Sequence, residues 1–315
     1  MKRAFIFPGQ GSQSVGMGKA LAEAFPQAKA VFDEVDEALS QKLSTIMWEG
    51  PAEDLTLTAN TQPALMAVSL AAMRVLEDEA GLVLKQHAAF VAGHSLGEYS
   101  ALAAAGSLSI ADTARLLRIR GNAMQSAVPV GQGAMAALLG LEYEAALEVA
   151  RAAAQGEVCD AANDNGGAQV VVSGHRSAVE RAVAIAQEKG AKRAVMLAVS
   201  APFHCALMQP AADAMREALA VVAVKTPVVP VVANVEAAPI TDPDAIRDAL
   251  VRQVTGTVRW RESVAFMAAQ GVEAFYEVGS GKVLTGLVKR IAAGASAVAI
   301  GTPDDVAAFK ASLNA

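Results

Sequence analysis

Residues 93–97 read Gly-His-Ser-Leu-Gly, and the flanks of this pentapeptide constrain the fold more than any other stretch. HAAFVAG before it is a short β-prone run. LGEYSALAAAG after it is rich in alanine and leucine and predicts a helix. A serine in G-x-S-x-G between a strand and a helix stands on a sharp, strained turn. Glycine at 93 and 97 has a mechanical reason there, because a side chain at either place would crowd the turn. Ser95 then projects into open space at a helix N-terminus. Free backbone N–H groups and the positive end of the dipole favour a developing oxyanion at that point. The pentapeptide alone arises easily in a chain with 25 glycines; the strand before it and the helix after it give it weight.

A serine is a weak nucleophile and needs a base, usually histidine. The chain has four histidines. His87 precedes the elbow strand and is expected to be exposed at its far end. His94 adjoins the serine, but successive strand residues point apart, which favours a packing or orienting role. His175 follows Gly174 in VVVSGHRS and reads as a loop or helix-start residue. His204 lies in VSAPFHCALM, between the β-prone VMLAVSA and a helix-like run. On a hydrolase-like elbow the base comes from a loop C-terminal to the nucleophile, so His204 is the candidate by position. A satisfied structural histidine is the alternative. A serine hydrolase would also need an acid to hold its histidine. Asp112, Asp160 and Asp164 lie between Ser95 and His204.

The chain opens with the strand RAFIF, which runs into the turn PGQGSQ; helical patterns cross 17–48 and 61–80. ADTARLLRIRGNAMQSA is a further helical stretch after the elbow helix. Pro129 to Gly133 reads as a hinge, and the rhythm then changes. GAMAALLG is a strand, YEAALEVARAAA a helix, and VCDAAN and QVVVSG are strands joined by DNGG. HRSAVERAVAIAQEKG is a helix and AKRAVMLAV a strand. That order is β-α-β-β-α-β, the ferredoxin-like arrangement. The fold class read from the chain is α/β: an α/β-hydrolase-like large domain with a parallel sheet (1–130 and 199–315) and an inserted ferredoxin-like small domain (131–198). Within the second part of the large domain the expected order is helix, strand VVPVVAN, two helices, strand AFYEVG and a helix from Lys282.

Composition narrows the class of function. Hydrophobic residues make up 53% of 315 residues, enough for a large core, and net charge is −6 with no basic tail. Nucleic-acid binding is not expected. Cys159 and Cys205 form no disulfide framework and read as reduced thiols, which places the chain in the cytoplasm. AFIF is too short for a signal-peptide core, and the uncharged 121–141 is broken by Pro129, Gly131 and Gly133, so no membrane segment is expected. GQGSQSVG has Ser14 where a dinucleotide fingerprint needs glycine. GSGKVLTG has Tyr276 and Val283 where a phosphate loop needs glycine and a hydroxyl. No His/Cys/Asp cluster has metal-ligand spacing.

Four stretches together resemble one family: FPGQGSQ at 7–13, GHSLGEYSAL at 93–102, LRIRGNAMQ at 117–125 and FHC at 203–205. They are similar to the malonyl-CoA:acyl carrier protein transacylases, and the likeness runs from residue 3 to about 291. The resemblance implies roles position by position. Ser95 is the nucleophile and His204 the general base. The backbone N–H groups of Gln10 and Leu96 form the oxyanion hole. The main-chain carbonyl of Gln253, rather than an aspartate, orients the histidine. Arg120 pairs with the malonyl carboxylate, and Asn163 lies near the site. Phe203, where serine often stands, narrows the acyl pocket toward malonyl, and Leu96 points the same way. His94 is placed with the substrate-binding group.

The implied chemistry is ping-pong transfer of malonyl from malonyl-CoA to the phosphopantetheine thiol of acyl carrier protein, through an ester on Ser95, for fatty acid biosynthesis. No metal or bound cofactor is implied: malonyl-CoA is a substrate, and phosphopantetheine belongs to the carrier protein. Without the family, Arg120 reads as a helix-end arginine before Gly121, and Arg118 as a solvated helix charge. A serine esterase or thioesterase, or a polyketide-type malonyl acyltransferase, are the alternatives. Acyl carrier proteins are acidic, so a local basic patch is expected; Lys192 with Arg193 and Lys289 with Arg290 are its candidates.

Overall fold

The computed structural model describes residues 1–313. Ten strands form two sheets: β1 (Lys2–Phe7), β2 (Phe90–Gly93), β3 (Gly133–Leu139), β4 (Cys159–Asp164), β5 (Gln169–His175), β6 (Arg193–Met196), β7 (Val231–Ala233), β8 (Ala238–Ile240), β9 (Val272–Val278) and β10 (Ser296–Ile300). The larger sheet has the order β10-β9-β1-β2-β7-β8. Its pairs are parallel except the last, β7 with β8.

The central strand explains the sheet. In AFIF the residues alternate between two cores: Phe5 and Phe7 pack on one face, Ala4 and Ile6 on the other. A strand covered on both faces reads as a continuous apolar run, as parallel strands do. The register pairs Phe7 with Gly93, so β1 and β2 end side by side. Their carboxyl ends therefore deliver the 8–11 turn and the Ser95 turn to the same place. The helix Thr58–Ala80 is buried along most of its length against one face.

The smaller sheet has the order β4-β5-β3-β6, all antiparallel, with the helices Tyr143–Ala154 and Arg176–Glu188 between its strands in the chain. This is the ferredoxin-like order. Along β3, Ala134, Ala136 and Leu138 pack into the small core with the two helices, while Met135 and Ala137 face the main core. The sheet thus lies between its own helices and the large body. Asp164 Oδ2 accepts from Arg261 Nε at 2.8 Å, and Val258 exchanges backbone hydrogen bonds with Ala162 and Asp164.

Several expected elements differ. The pattern over 17–48 divides into Lys19–Ala24, Pro26–Leu39 and Leu43–Glu49. Pro26 starts a new helix behind an extended Phe25, and Ser40 ends that helix in the left-handed region at φ 48°. The helix expected over 61–80 begins at Thr58. AKRAVMLAV and VVPVVAN contribute only Arg193–Met196 and Val231–Ala233. Beyond the expected elements lie β8, β10 and the helix Pro303–Leu313. β10 is a half-exposed edge strand of small residues, SAVAI; its pairing with β9 stabilises it more than any pattern of its own.

Candidate active site

The elbow is built by sterics. Ser95 sits at φ 54°, in the left-handed region that a serine rarely adopts, between β2 and the helix Gly97–Ala104. Such a conformation costs about 1–3 kcal/mol and persists where its surroundings hold it. A Cβ on Gly93 would lie 1.9 Å from the Gly97 carbonyl, and one on Gly97 would lie 2.3 Å from the Phe7 oxygen. Only glycine admits both approaches. The Ser95 N–H donates to Asn234 Oδ1 at 2.8 Å, and Asn234 Nδ2 donates to the Gly93 oxygen at 2.7 Å. Asn234, at the end of β7, thereby ties both sides of the turn.

His204 reaches the serine from the loop that follows β6. Its Nε2 lies 2.7 Å from Ser95 Oγ, and its Nδ1 lies 2.8 Å from the main-chain oxygen of Gln253. A carbonyl only accepts, so Nδ1 carries the proton and Nε2 presents its lone pair to the hydroxyl. Burial, with the nearby Arg120 charge adding to it, pushes the His204 imidazole down to about 3. It is neutral, and so able to accept a proton, through the neutral range. None of the three aspartates touches it in the hydrogen bonds that hold the site. Asp112 pairs with Ser109 and Arg115, Asp160 accepts from the Ala206 N–H, and Asp164 holds Arg261.

Arg120 is 1% exposed and stands inside the helix Ile110–Ser126, not at its end. The helix runs on past Gly121, which meets the helix Thr58–Ala80 closely. A Cβ there would lie 2.5 Å from Ala59 Cα. Arg120 Nη1 donates to Gln62 Oε1 at 2.7 Å. Nη2 donates to Gln253 Oε1 at 2.9 Å and to Ser95 Oγ at 3.1 Å. A buried guanidinium held by neutral amides, with one donor aimed at the reacting atom, is suited to an anionic group beside the serine. Arg118 is no solvated charge: it is half-buried and donates to Asn60 Oδ1 and Gln41 Oε1, at 2.7 and 2.6 Å. None of these three residues lines the cleft around Ser95.

These groups line a cleft of about 360 Å³ that also takes in Gln10, Leu96, Asn163, Phe203 and His94. Leu96 opens the elbow helix, where the first N–H groups have no intrahelical acceptor. Gln10 lies on the turn after β1 and accepts from Thr58 Oγ1 at 2.8 Å. Phe203 is 8% exposed at the cleft wall, adjoining His204. His94 Nε2 lies 2.9 Å from Asn165 Oδ1, and its ring tilts against Trp260 at 5.6 Å. Burial holds the His94 imidazole below its usual value. The other two histidines stay outside the cleft: His87 accepts from the Val83 N–H, and His175 accepts from the Val158 N–H.

Sequence reasoning passed over several residues that hold this arrangement. Asn165 lies two positions beyond Asn163 in CDAANDN and is the partner of His94. Asn234 closes VVPVVAN, and its place at the end of a β-prone run was the available signal. Gln62 holds Arg120 from the far side. Glu98 lies three residues after the serine; it is fully buried, and Oε2 accepts from the Asn234 N–H and from Gln253 Nε2. Burial pushes its carboxyl up to about 7, against the pull of those hydrogen bonds and of Arg120. Among the described residues, no group of three or more His, Cys, Asp or Glu side chains could hold a metal ion, and no helix is long and apolar enough to cross a membrane.

Comparison with known proteins shows the family of the chain. The family described as "Acyl transferase domain" matches residues 4–309. The malonyl CoA-acyl carrier protein transacylase of Escherichia coli (strain K12) is 50% identical over 305 residues, covering 97% of each chain. The crystal structure of acyl-carrier-protein-S-malonyltransferase from Bartonella henselae superposes with a TM-score of 0.97 at 58% identity, covering 100% of both chains. A solved complex of a type II PKS acyl-carrier protein with its malonyl-transacylase has a TM-score of 0.96 at 43% identity, covering 99% of this chain and 100% of that one.

Proposed function

Because the chain belongs to the acyl transferase domain family, we infer its reaction from the chemistry of that family and of the cleft. The protein is an acyltransferase that moves the malonyl group from malonyl-CoA to acyl carrier protein, for fatty acid synthesis. The observation that carries the residue assignment is the 2.7 Å contact of Ser95 Oγ with His204 Nε2, beside a buried arginine.

In the first half-reaction His204 Nε2 takes the Ser95 proton as Oγ attacks the thioester carbonyl. The Gln10 and Leu96 N–H groups receive the oxyanion. The tetrahedral intermediate collapses, the C–S bond breaks, and His204 returns the proton to the CoA sulfur. In the second half-reaction His204 takes the proton of the phosphopantetheine thiol. The sulfur attacks the Ser95 ester, and the proton goes back to Oγ. Atoms and protons balance in each half. Gln253 holds the Nδ1 proton throughout; a neutral carbonyl fixes the tautomer but stabilises imidazolium less than a carboxylate would. Arg120 Nη2 turns from Ser95 Oγ to the malonyl carboxylate, which sets the acyl carbon beside the nucleophile. Phe203 and Leu96 narrow the acyl side, and Asn163 and His94 also line the cleft. Transfer needs no bound cofactor, and a cytoplasmic location goes with this reading.

Intact-protein mass spectrometry after brief exposure to malonyl-CoA tests the proposal. One malonyl adduct, mapped by peptides to Ser95 and missing from Ser95→Ala, is the expected result. A label that persists in Ser95→Ala or maps to Cys205 would overturn it. Rapid hydrolysis of simple esters with no thiol acceptor would favour the esterase reading instead.

A further inference from the structure

Arg120 is a buried cation with no carboxylate in direct contact; its donors go to Gln62, Gln253 and Ser95. One buried carboxylate lies just beyond. Glu98 is 0% exposed, and a single side-chain amide separates it from the guanidinium. Gln253 Oε1 accepts from Arg120 at 2.9 Å, and Gln253 Nε2 donates to Glu98 Oε2 at 2.9 Å. The same Oε2 accepts from the Asn234 N–H at 3.0 Å, and Asn234 holds the Ser95 N–H. Glu98 Oε1 is buried with no hydrogen-bond partner among the described residues. No donor occupies its lone pairs, so a proton can bind there without breaking a bond.

We propose that Glu98 is a positioning residue that balances the charge of Arg120: to the extent that it is ionised in the empty cleft, it takes up a proton as the malonyl carboxylate docks. This rests on the malonyl-transfer reading above. Two carboxylates around one buried guanidinium repel each other, and the one without external solvation gives way by protonating. Burial already holds the Glu98 carboxyl at about 7, so the proton is available near neutral pH.

Among the described residues, the elements packed around Glu98 offer no competing group. Helix Ile110–Ser126 turns Arg120 toward Glu98, while its Asp112, Arg115 and Arg118 lie partly or fully exposed. Helix Thr58–Ala80 keeps Arg74, Glu77, Asp78 and Glu79 near its far end, and Lys2 and Arg3 stand at the opposite end of β1. β2 and β7 carry no charge. Helix Pro243–Gln253 turns Gln253 inward and leaves Asp244, Arg247, Asp248 and Arg252 outside. Burial holds Tyr99 above its usual value and His204 down at about 3, so neither changes charge near neutrality, and it holds the His94 imidazole below its usual value.

Linkage is reciprocal, so ionised Glu98 must weaken malonyl capture. The test is the ratio of kcat/KM for malonyl-CoA to that for acetyl-CoA, which has no carboxylate, between about pH 6 and about pH 8.5. In the wild type the ratio should fall about tenfold as pH rises, the size expected for two charges coupled through an effective dielectric near 20. In Glu98→Gln, whose amide oxygen can accept both hydrogen bonds, the ratio should stay flat. Equal slopes in both proteins would overturn the proposal. Should Glu98→Gln not fold, the wild type decides alone. Acylation converts a hydroxyl and a thioester to an ester and a thiol, so it consumes no proton of its own. At pH 7 in weak buffer, malonyl-CoA should draw about half a proton per site and acetyl-CoA none; no uptake with malonyl-CoA would overturn the proposal. A wild type that accepts no malonyl at all would instead sink the functional reading on which it rests.

Discussion

Ser95 and His204 both occupy the left-handed backbone region, at φ 54° and 57°, and each is held there by hydrogen bonds to residues distant in the chain. His204→Ala should lower transfer at least ~10²-fold, the usual cost of a lost general base. Asn in place of Asp112, Asp160 or Asp164, in folded protein, should not, because none of these faces the imidazole; steady-state rates of the four variants decide it. For Arg120→Ala, loss of a buried partner costs about 3–5 kcal/mol, so malonyl kcat/KM should drop by roughly two to four powers of ten. Acetyl transfer, without a carboxylate to meet, should suffer far less; equal losses on both substrates would make Arg120 structural. The buried, neutral His204 also sets a pH dependence. Its unfolded value is the ordinary 6.5 and its folded value about 3, so between these the unfolded chain binds the extra proton. That share of stability is complete above about pH 6.5 and is lost as pH falls toward 3. Acetyl kcat/KM should therefore show no acid limb near 6.5 while the protein stays folded; a limb there would mean that His204 titrates normally.

At the level of elements, the site depends on where backbones touch. Gly97 lets the elbow helix start against the end of β1, and Gly121 lets the Arg120 helix lie on the helix Thr58–Ala80. Gly121→Ala places a methyl group 2.5 Å from Ala59 Cα, a backbone neighbour that cannot swing aside. Overpacking of this kind costs ~1–3 kcal/mol, and here it also moves Arg120 away from Ser95. The expected outcome is a lower Tm together with a malonyl-specific loss of activity. An unchanged Tm would show that the two helices separate easily.

Across the whole molecule, we propose that residues 131–198 form an inserted unit within a body made of 1–130 and 199–315, closing the cleft from one side. Its turn at 166–168 draws together the two basic pairs. The Gly140 N–H donates to the Ala168 oxygen, Gly140 lies against Lys192, and Gly167 lies against Arg290. Lys192, Arg193, Lys289 and Arg290 are all exposed. Replacing all four with glutamate should raise KM for acyl carrier protein about tenfold or more at low salt, by like-charge repulsion at the docking rim. Acylation by malonyl-CoA should change much less, and added salt should narrow the difference. An unaltered KM for the carrier protein would place docking elsewhere.

Much of this was legible from the chain alone. The Ser95 elbow was, because strand, turn and helix are local and glycine spacing reports the sterics directly. The β-α-β-β-α-β order was, because each element carries its own hydrophobic period. Arg120, Gln10 and Gln253 came from family resemblance, since nothing in their local pattern separates them from other helix or turn residues. Tertiary structure decided the rest. It brought Asn234 and Gln253, more than 130 residues beyond Ser95, under the serine. It paired His94 with Asn165, and it turned Arg118 from a surface charge into a half-buried tie. It also buried Glu98, which the sequence shows only as an acidic residue in the first turn of a helix. Local pattern records how a segment folds against water. Which polar atoms meet inside, and what charge they keep there, depends on packing between segments that the sequence holds far apart.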